Sequence, residues 1–351
     1  MTRTMPGAAR IAALVAILIG IALFAFTISR LDLQETLQYT RRLGLALPVL
    51  LLPSVAWHLL RTWGWAVSFP EPAFPARSLP VVPGTVPSFW RLFRVRLAAD
   101  AISFFTVRGP TGEPLKVLLL SDHVPPAIST ASIAAERLAF ALVSVIVAGT
   151  VSQVAVQRMS LPAGWDATFT LLSIGAVVLI GIFALVARRG TGNYLGRLLS
   201  KRMRRNAAPP SRRSTVVRFI LEVERNLLAL LRGKRRRIAT LTVLPIVCYG
   251  VNALEVWAIF FAIGEPIGAS EALVIETFVR LASVAGAAVP ASLGTLEASH
   301  IAIATALGLS GGGALALARR LRALLWAALG LALYPRLGST RPAMPTAPAG
   351  S

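Results

Sequence analysis

The stretch LAADAISFFTVRGPTGEPLKVLLL, residues 97–120, decides the fold. Apolar residues run from Leu97 to Val107, stop at a charged segment rich in glycine and proline, and resume from Leu115 to Leu120. Each apolar piece is shorter than the roughly 20 residues that a helix needs to cross a bilayer. The pattern therefore predicts a re-entrant helical hairpin, which enters a membrane and returns to the side from which it came.

A second stretch has the same organisation. Residues 272–309 are apolar as far as Val289, break at the sequence PASLGT, and continue from Leu296. This pattern predicts a second re-entrant hairpin. The residues that form the two predicted breaks are Gly109, Gly112 and Pro114 in the first hairpin and Pro290, Gly294 and Thr295 in the second.

The composition of the whole chain also indicates a membrane protein. Of its 351 residues 55% are hydrophobic and 15% are charged, and the mean hydropathy is +0.69. A soluble domain of this composition would expose large apolar patches. Further apolar runs of about 20 residues are predicted to span the bilayer, namely Ala8–Ile28, Leu43–Phe69, Ala127–Val156, Phe169–Ala187, Ile238–Ile263 and Gly312–Tyr334. The first run is interpreted as a span because no small-residue cleavage pattern follows it.

The order of these segments predicts a duplicated unit. Residues 1–168 contain two spans, a hairpin and a third span, and residues 169–334 repeat that order. Because each unit crosses the membrane an odd number of times, the second unit starts on the opposite side, which makes an inverted repeat. The predicted fold class is an all-α polytopic membrane protein with six transmembrane helices and two re-entrant hairpins. A disordered tail at 335–351 follows.

Basic residues are concentrated in one loop. The chain has 36 Lys and Arg against 15 Asp and Glu, a net charge of +21, and residues 188–237 alone contain 16 basic residues. The positive-inside rule places this loop and both termini in the cytoplasm, which predicts a multi-pass protein of the bacterial cytoplasmic (inner) membrane. Anionic inner-leaflet lipids are the predicted partners of the loop, and nucleic-acid binding is not expected. Within the loop, the apolar spacing of Ser214–Leu231 predicts an amphipathic helix on the membrane surface.

Ionisable residues inside apolar segments identify a candidate site. A charge at the bilayer centre costs about 2.5–3.5 kcal/mol on insertion scales, so such residues face a cavity or a partner. Glu113 and Glu297 lie at the two hairpin breaks, and the pairs Glu136-Arg137 and Arg319-Arg320 lie at similar depths in the third and sixth spans. The candidate substrate-binding residues are Glu113, Lys116, Glu136, Arg137, Arg280, Glu297, Arg319 and Arg322.

The hairpin breaks contribute helix N-termini to this site. Pro114 is predicted to be the first residue of a helix with Glu113 as its cap, and Thr295 is predicted to cap the helix that carries Glu297. Helix N-termini present free N–H groups and a positive dipole end to an anion. Together with Arg137 and other cations in one polar cavity, they predict a site for a phosphate-bearing headgroup. The alternative is that the charged residues form structural ion pairs only.

The sequence contains no constellation typical of an enzyme. A single cysteine, Cys248, excludes an internal disulfide and a cysteine zinc site. The sequence Glu297-x-x-His300 is one copy of a pairing that di-iron bundles need twice, so neither a metal nor another cofactor is predicted. The absence of a P-loop sequence argues against an ATP-driven pump. We therefore predict that the chain is not an enzyme.

Four strings carry a family resemblance: Gly112-Glu113-Pro114-Leu115-Lys116, Glu136-Arg137, the segment from Pro290 to Glu297, and the segment from Arg319 to Trp326. In this order they resemble the transmembrane, flippase-like region of the lysylphosphatidylglycerol synthase family, over nearly the whole chain. The resemblance implies translocation of a lipid between leaflets without a nucleotide motor. Synthase members of the family have an additional soluble domain for aminoacyl transfer, and the resemblance implies a stand-alone member without it.

Two alternatives to lipid translocation stay open. One is an accessory or membrane-embedded enzyme subunit that acts on a lipid-linked substrate, with Glu113 or Glu297 as a base. The other is an ion-coupled carrier of small solutes, in which the acids are the coupling sites. Openings toward the lipid would favour a lipid substrate, and a sealed aqueous vestibule would favour a solute. A homo-oligomer is compatible with each of these functions.

Overall fold

The computed structural model describes residues 33–69, 87–106, 111–159, 164–189, 235–286 and 294–334, with the single residues 219, 222, 223, 226, 289 and 292. Within these residues the protein is all-helical and contains no strand. The nine helices of the described residues are α1 Leu33–Val67, α2 Phe89–Phe105, α3 Gly112–Leu120, α4 Pro126–Arg158, α5 Trp165–Arg189, α6 Arg235–Ile263, α7 Ala269–Ala285, α8 Thr295–Ala306 and α9 Gly312–Ala332.

Five of the six segments that were predicted to span are long helices, namely α1, α4, α5, α6 and α9. Among the described residues, α6 and the Pro126–Gln157 part of α4 are long and apolar enough by themselves to cross a membrane. Helix α9 is continuous but contains three arginines, which make its sequence less apolar. The predicted span Ala8–Ile28 lies outside the described residues.

Other predictions also fall largely outside the described part of the chain. Of the predicted surface helix, residues 219, 222, 223 and 226 are described, and each is helical. The other residues between 190 and 234 and the tail 335–351 lie outside, whereas residues 188 and 189 of the basic loop belong to α5.

Each predicted hairpin consists of two helices that pack on one another, α2 on α3 and α7 on α8. The first hairpin starts at Phe89, earlier than the predicted Leu97, and the Ser88 side chain caps it by accepting a hydrogen bond from the Arg91 backbone N–H. Helix α3 has 9 residues and α8 has 12. At 1.5 Å per residue they are about 14 and 18 Å long, well short of the roughly 30 Å of a bilayer core.

Helices α1 and α6 pack against each other at the centre of the bundle. Helix α1 also contacts α2, α4 and α9, and α6 also contacts α7, α9 and α4. Helix α9 packs along α2 and α8, while α4 packs along α7, α3 and α5. The α2–α9 contact requires a glycine at position 330, because a Cβ there would overlap the backbone carbonyl of Leu97.

Two polar contacts define one end of the bundle. The Arg237 guanidinium donates to the Phe69 carbonyl, just beyond the end of α1, and Arg94 donates to the Leu333 carbonyl at the end of α9. An apolar cluster fills this end, and Leu120 at the end of α3 belongs to it. Both arms of the first hairpin therefore have their outer ends here, and its tip points into the bundle.

The opposite end has its own polar contact. Glu265, which follows α6, accepts hydrogen bonds from the backbone N–H groups of Ser310 and Gly311 at the start of α9, each at 2.8 Å. The larger apolar cluster lies here, and Ile267 before α7 and Leu307 after α8 pack in it. The second hairpin therefore enters from this end, and the two hairpin tips point toward each other.

Candidate functional site

Charged side chains from α1 to α4 form a first charge cluster. Its members are Arg61, Arg96, Asp100, Glu113, Lys116, Glu136 and Arg137. A second charge cluster is formed by side chains from α6 to α9. Its members are Glu255, Glu276, Arg280, Glu297, Arg319, Arg320 and Arg322.

The inner part of the first cluster is buried. The Arg61 guanidinium lies 2.9 Å from a carboxylate oxygen of Glu136, and Arg96 approaches the same oxygen to 3.7 Å. Arg61 also stacks over the ring of Phe140 at 3.6 Å. Arg96 pairs with Asp100 one helical turn away, at 3.4 Å. These contacts tie α1, α2 and α4 together, because each buried charge needs its partner.

The outer part of the first cluster lies at the hairpin tip. Lys116 is 3.3 Å from both Asp100 and Glu113, and Arg137 donates to the Oε1 atom of Glu113. The other oxygen of Glu113, Oε2, is buried and has no hydrogen-bond partner among the described residues. The Arg137 side chain is 48% exposed although it belongs to a predicted span. This arginine is therefore accessible from outside the bundle.

In the second cluster two carboxylates hold three arginines. Glu276 accepts hydrogen bonds from Arg280 and Arg319, both at 2.7 Å. Glu255 pairs with Arg322 and lies 3.5 Å from Arg319. The side chains of both glutamates are buried. The arrangement connects α6, α7 and α9.

Arg320 connects the two hairpin tips. Its guanidinium pairs with Oε1 of Glu297 at 3.5 Å and lies 5.5 Å from the ring centroid of Phe104, at the end of α2. As in Glu113, the second oxygen of Glu297 is buried without a hydrogen-bond partner in the described part of the chain. In both carboxylates one oxygen contacts an arginine and the other has no hydrogen-bond partner among the described residues, while Glu113 also contacts Lys116.

Cations outnumber carboxylates in the two clusters. The ion pairs described involve eight Lys or Arg side chains and six Asp or Glu side chains. Each cluster contains one cation more than it has carboxylates. Unbalanced charge inside an apolar bundle is costly, and a bound anion would offset that cost.

The eight residues predicted for the site all lie in these clusters, but their pairing differs in part from the prediction. Arg137 contacts Glu113, whereas Arg319 contacts Glu276 and Glu255. The partner of Glu297 is Arg320. Adjacent residues on a helix point about 100° apart, so Arg319 and Arg320 cannot both face the hairpin tip.

The predicted helix caps are corrected by the structure. Helix α3 begins at Gly112, so Glu113 and Pro114 lie in its first turn and Thr111 occupies the cap position. Helix α8 begins at Thr295 itself, whose hydroxyl donates to the Ser292 carbonyl and leaves the N-terminus of the helix uncapped. Each helix therefore begins one or two residues before its predicted start.

The two breaks differ in what their glycines do. Gly112 lets α3 approach α2, since a Cβ would lie 3.0 Å from the Ser103 side chain. Gly294 has φ of +75°, a backbone conformation that favours glycine, and Ser292 also has a positive φ of +49°. Close packing thus explains the first glycine and a tight turn the second. Gly109 and Pro290 lie outside the described residues.

A small cavity adjoins the first cluster. It is lined by Glu136 and Phe140 of α4, Gly64 of α1, and apolar residues of α6. Its size is close to that of one water molecule, far below the volume of a phospholipid headgroup. The polar cavity that the sequence predicts between the two clusters stays a prediction.

Two buried arginines were missed by the sequence prediction. Arg61 lies within the predicted span Leu43–Phe69, so the rule that was applied to Arg137 would also have found Arg61. Arg96 was assigned to a loop because the hairpin was predicted to begin at Leu97. The structure places it in the third turn of α2, where it is 2% exposed.

Residues 13–332 match a family model described as the lysylphosphatidylglycerol synthase TM region. The match covers all nine described helices and both charge clusters. Comparisons with curated proteins and with solved structures returned no match.

Proposed function

Since the chain belongs to the family of the lysylphosphatidylglycerol synthase transmembrane region, we propose that it moves a lipid with an anionic or phosphate-bearing headgroup between the leaflets of a membrane. The family and the apolar helices identify it as a membrane protein. The observation that carries the proposal is the excess of cations over carboxylates in each charge cluster. A phosphate would neutralise that excess while the acyl chains stay in the bilayer.

The proposed architecture is an inverted repeat of two units. In it α1, α2, α3 and α4 correspond to α6, α7, α8 and α9. The packing pairs support this assignment: α2 on α9 corresponds to α7 on α4, α1 on α9 corresponds to α6 on α4, and α1 on α6 is its own counterpart. The pairs Arg137–Glu113 and Arg320–Glu297 also correspond. The short α3 and α8 are then the re-entrant arms.

Exposure of the first cluster favours a lipid over a small solute. Arg137 is accessible at the outer surface of the bundle, and Leu118 of α3 and Phe105 at the end of α2 are exposed apolar residues of the same hairpin unit. A ligand that approaches from the bilayer would meet both a cation and apolar side chains on this unit. In this proposal Arg137, Lys116 and the N-terminus of α3 receive the headgroup, and Arg280, Arg319 and Arg322 receive it in the second unit.

The proposal includes a location and a second lipid contact. The protein lies in a bacterial cytoplasmic membrane with both termini and the loop 188–237 on the cytoplasmic side, as the distribution of basic residues supports. Anionic inner-leaflet lipids bind that loop. The chain has no enzymatic role of its own in this account.

Reconstitution tests the function. Vesicles that contain the purified protein and a fluorescent phosphatidylglycerol are treated with a membrane-impermeant quencher, and the fraction of lipid that becomes quenched measures translocation. We expect faster loss of fluorescence than in protein-free vesicles, and a slower loss with Arg137→Gln. Arg91→Gln, which removes an exposed charge near the start of α2, is the matched control and should retain the wild-type rate. A wild-type rate equal to that of protein-free vesicles would contradict the proposal.

A further inference from the structure

The guanidinium of Arg280 in α7 is held by a carboxylate and by an aromatic ring. Its Nη2 atom donates to Oε1 of Glu276, one turn earlier in the same helix, at 2.7 Å. The Cζ atom of Arg280 also lies 4.4 Å from the ring centroid of Tyr249 in α6, within the range of a cation–π contact. Because the carboxylate and the ring belong to different helices, the two contacts together fix the direction in which the guanidinium points.

Arg280 is better placed to bind a ligand than Arg319, with which it shares Glu276. The Nε atom of Arg280 is buried and has no hydrogen-bond partner in the part of the chain that the structure describes. Its side chain is 22% exposed, against 10% for Arg319. Arg319 also donates to the Asn252 carbonyl and lies 3.5 Å from Glu255. Arg280 thus combines partial exposure with a donor that an oxyanion can use.

Arg280 also faces the first charge cluster. Cys248, which precedes Tyr249 in α6, is buried, and the charged groups around it come from both clusters. They include Arg61, Arg96 and Glu136 of the first cluster and Arg280 of the second. A headgroup that leaves the first cluster through the interior of the bundle therefore passes close to Arg280.

We infer that Tyr249 is a positioning residue of the headgroup site, whose ring holds Arg280 in the orientation in which the guanidinium binds the phosphate of a lipid. This inference rests on the proposed function and adds one residue to its site. Tyr249 is 2% exposed, so it acts through Arg280 and does not touch the ligand. An arginine that is already ordered loses less rotamer freedom when it binds a phosphate, which strengthens the binding.

The first cluster contains a similar contact with a different role. Arg61 lies over the Phe140 ring at 3.6 Å, but its side chain is 4% exposed and pairs with the buried Glu136. This contact contributes to stability and presents no accessible cation to a ligand. Phe140→Leu removes a ring from a structural arginine, as Tyr249→Leu removes one from Arg280. Phe140→Leu is therefore the matched control.

The lipid preference of reconstituted protein tests the inference. The quenching rate of fluorescent phosphatidylglycerol is compared with that of fluorescent glucosylceramide, whose headgroup is uncharged. Tyr249→Leu should lower the preference for phosphatidylglycerol roughly fivefold, because Arg280 is no longer held in its binding orientation. Tyr249→Phe removes the hydroxyl, which lies near Thr277 and Arg280, but keeps the ring and should retain the wild-type preference. Phe140→Leu should lower the melting temperature and leave the preference per folded molecule unchanged.

A double-mutant cycle shows whether Tyr249 acts through Arg280. Arg280→Gln removes the cation, while Glu276 keeps Arg319 as its partner, so this variant should fold. It should lower the preference for phosphatidylglycerol, and adding Tyr249→Leu should cause no further loss, because the ring then has no cation to hold. A further loss as large as that in the wild-type background would overturn the inference. If thermal unfolding in detergent shows that Tyr249→Leu does not fold, Tyr249→Met takes its place in the cycle.

The same measurements separate this inference from the proposed function. A loss of preference in Tyr249→Phe as large as in Tyr249→Leu, or a wild-type preference in both variants, would overturn the inference. In either case, faster quenching of phosphatidylglycerol by the wild-type protein would still support the proposed function. If the wild-type protein accelerates the quenching of neither lipid, the proposed function is wrong and the inference is wrong with it.

Discussion

The guanidinium of Arg61 lies 2.9 Å from the carboxylate of Glu136, and both side chains are almost completely buried between α1 and α4. Arg96 contributes a second cation to the same carboxylate. The pair is therefore a structural element of the interior, in contrast to the accessible pair of Arg137 and Glu113.

Removal of one member of the buried pair should destabilise the protein strongly. Glu136→Gln leaves Arg61 and Arg96 without their shared carboxylate, and we expect a loss of about 3–5 kcal/mol in the free energy of unfolding. Arg61→Met with Glu136→Leu removes both charges, so the double variant should be more stable than Glu136→Gln. Denaturant titration in detergent measures all three. Equal stability of wild type and Glu136→Gln would show that the pair has no structural role.

Much of the fold could be predicted because it depends on local patterns. Apolar length located five helices, and the breaks near Pro114 and Gly294 located the packed helix pairs α2–α3 and α7–α8, since glycine and proline are frequent where helices start and end. The start of α2 was missed because Arg94 and Arg96 resemble a loop in the sequence, although Arg96 finds buried partners in the fold.

The pairing within the site was less predictable. The sequence identified the four arginines and Glu297 of the second cluster as charges inside apolar segments, but it could not tell which arginine faces Glu297. That choice depends on the rotation of α9 about its axis, which is set by packing against α2, α6 and α8. Arg320 rather than Arg319 reaches Glu297 as a result.

The close contact of α2 and α9 makes a specific prediction for two glycines. Gly330→Ala introduces a Cβ that overlaps the Leu97 backbone, and we expect a loss of about 1–3 kcal/mol of stability. Gly250→Ala in α6 has open space around the new Cβ and should be neutral or stabilising by up to about 1 kcal/mol. Comparing the unfolding of the two variants in detergent checks the packing. Similar effects of both substitutions would contradict it.

The orientation in the membrane can be tested by labelling from outside the cell. A cysteine at Ser270, at the end of the bundle that contains Glu265, should react with an impermeant thiol reagent, whereas a cysteine at Ser211 in the basic loop should not. Cys248 is buried and gives little background. Modification of position 211 in intact cells would reverse the proposed orientation.

Two conservative substitutions should separate binding from structure. Arg137→Lys keeps the charge of an exposed side chain but loses the planar fork that binds phosphate, so translocation should fall roughly tenfold while the melting temperature stays unchanged. Arg319→Lys affects a buried side chain that contacts Glu276, Glu255 and the Asn252 carbonyl, so we expect a lower melting temperature. If Arg137→Lys instead lowered the stability and left transport per folded molecule unchanged, Arg137 would have a structural role and would not bind the headgroup.

The most direct test of the account compares two fluorescent lipids in the same reconstituted vesicles, phosphatidylglycerol with its anionic headgroup and glucosylceramide with an uncharged one. The excess of cations in the two clusters predicts that the wild-type protein accelerates quenching of the phosphatidylglycerol more than that of the glucosylceramide, and that Arg137→Gln removes the difference. Equal acceleration of both lipids by the wild-type protein, or acceleration of neither, would contradict the claim that the clusters bind an anionic headgroup during translocation.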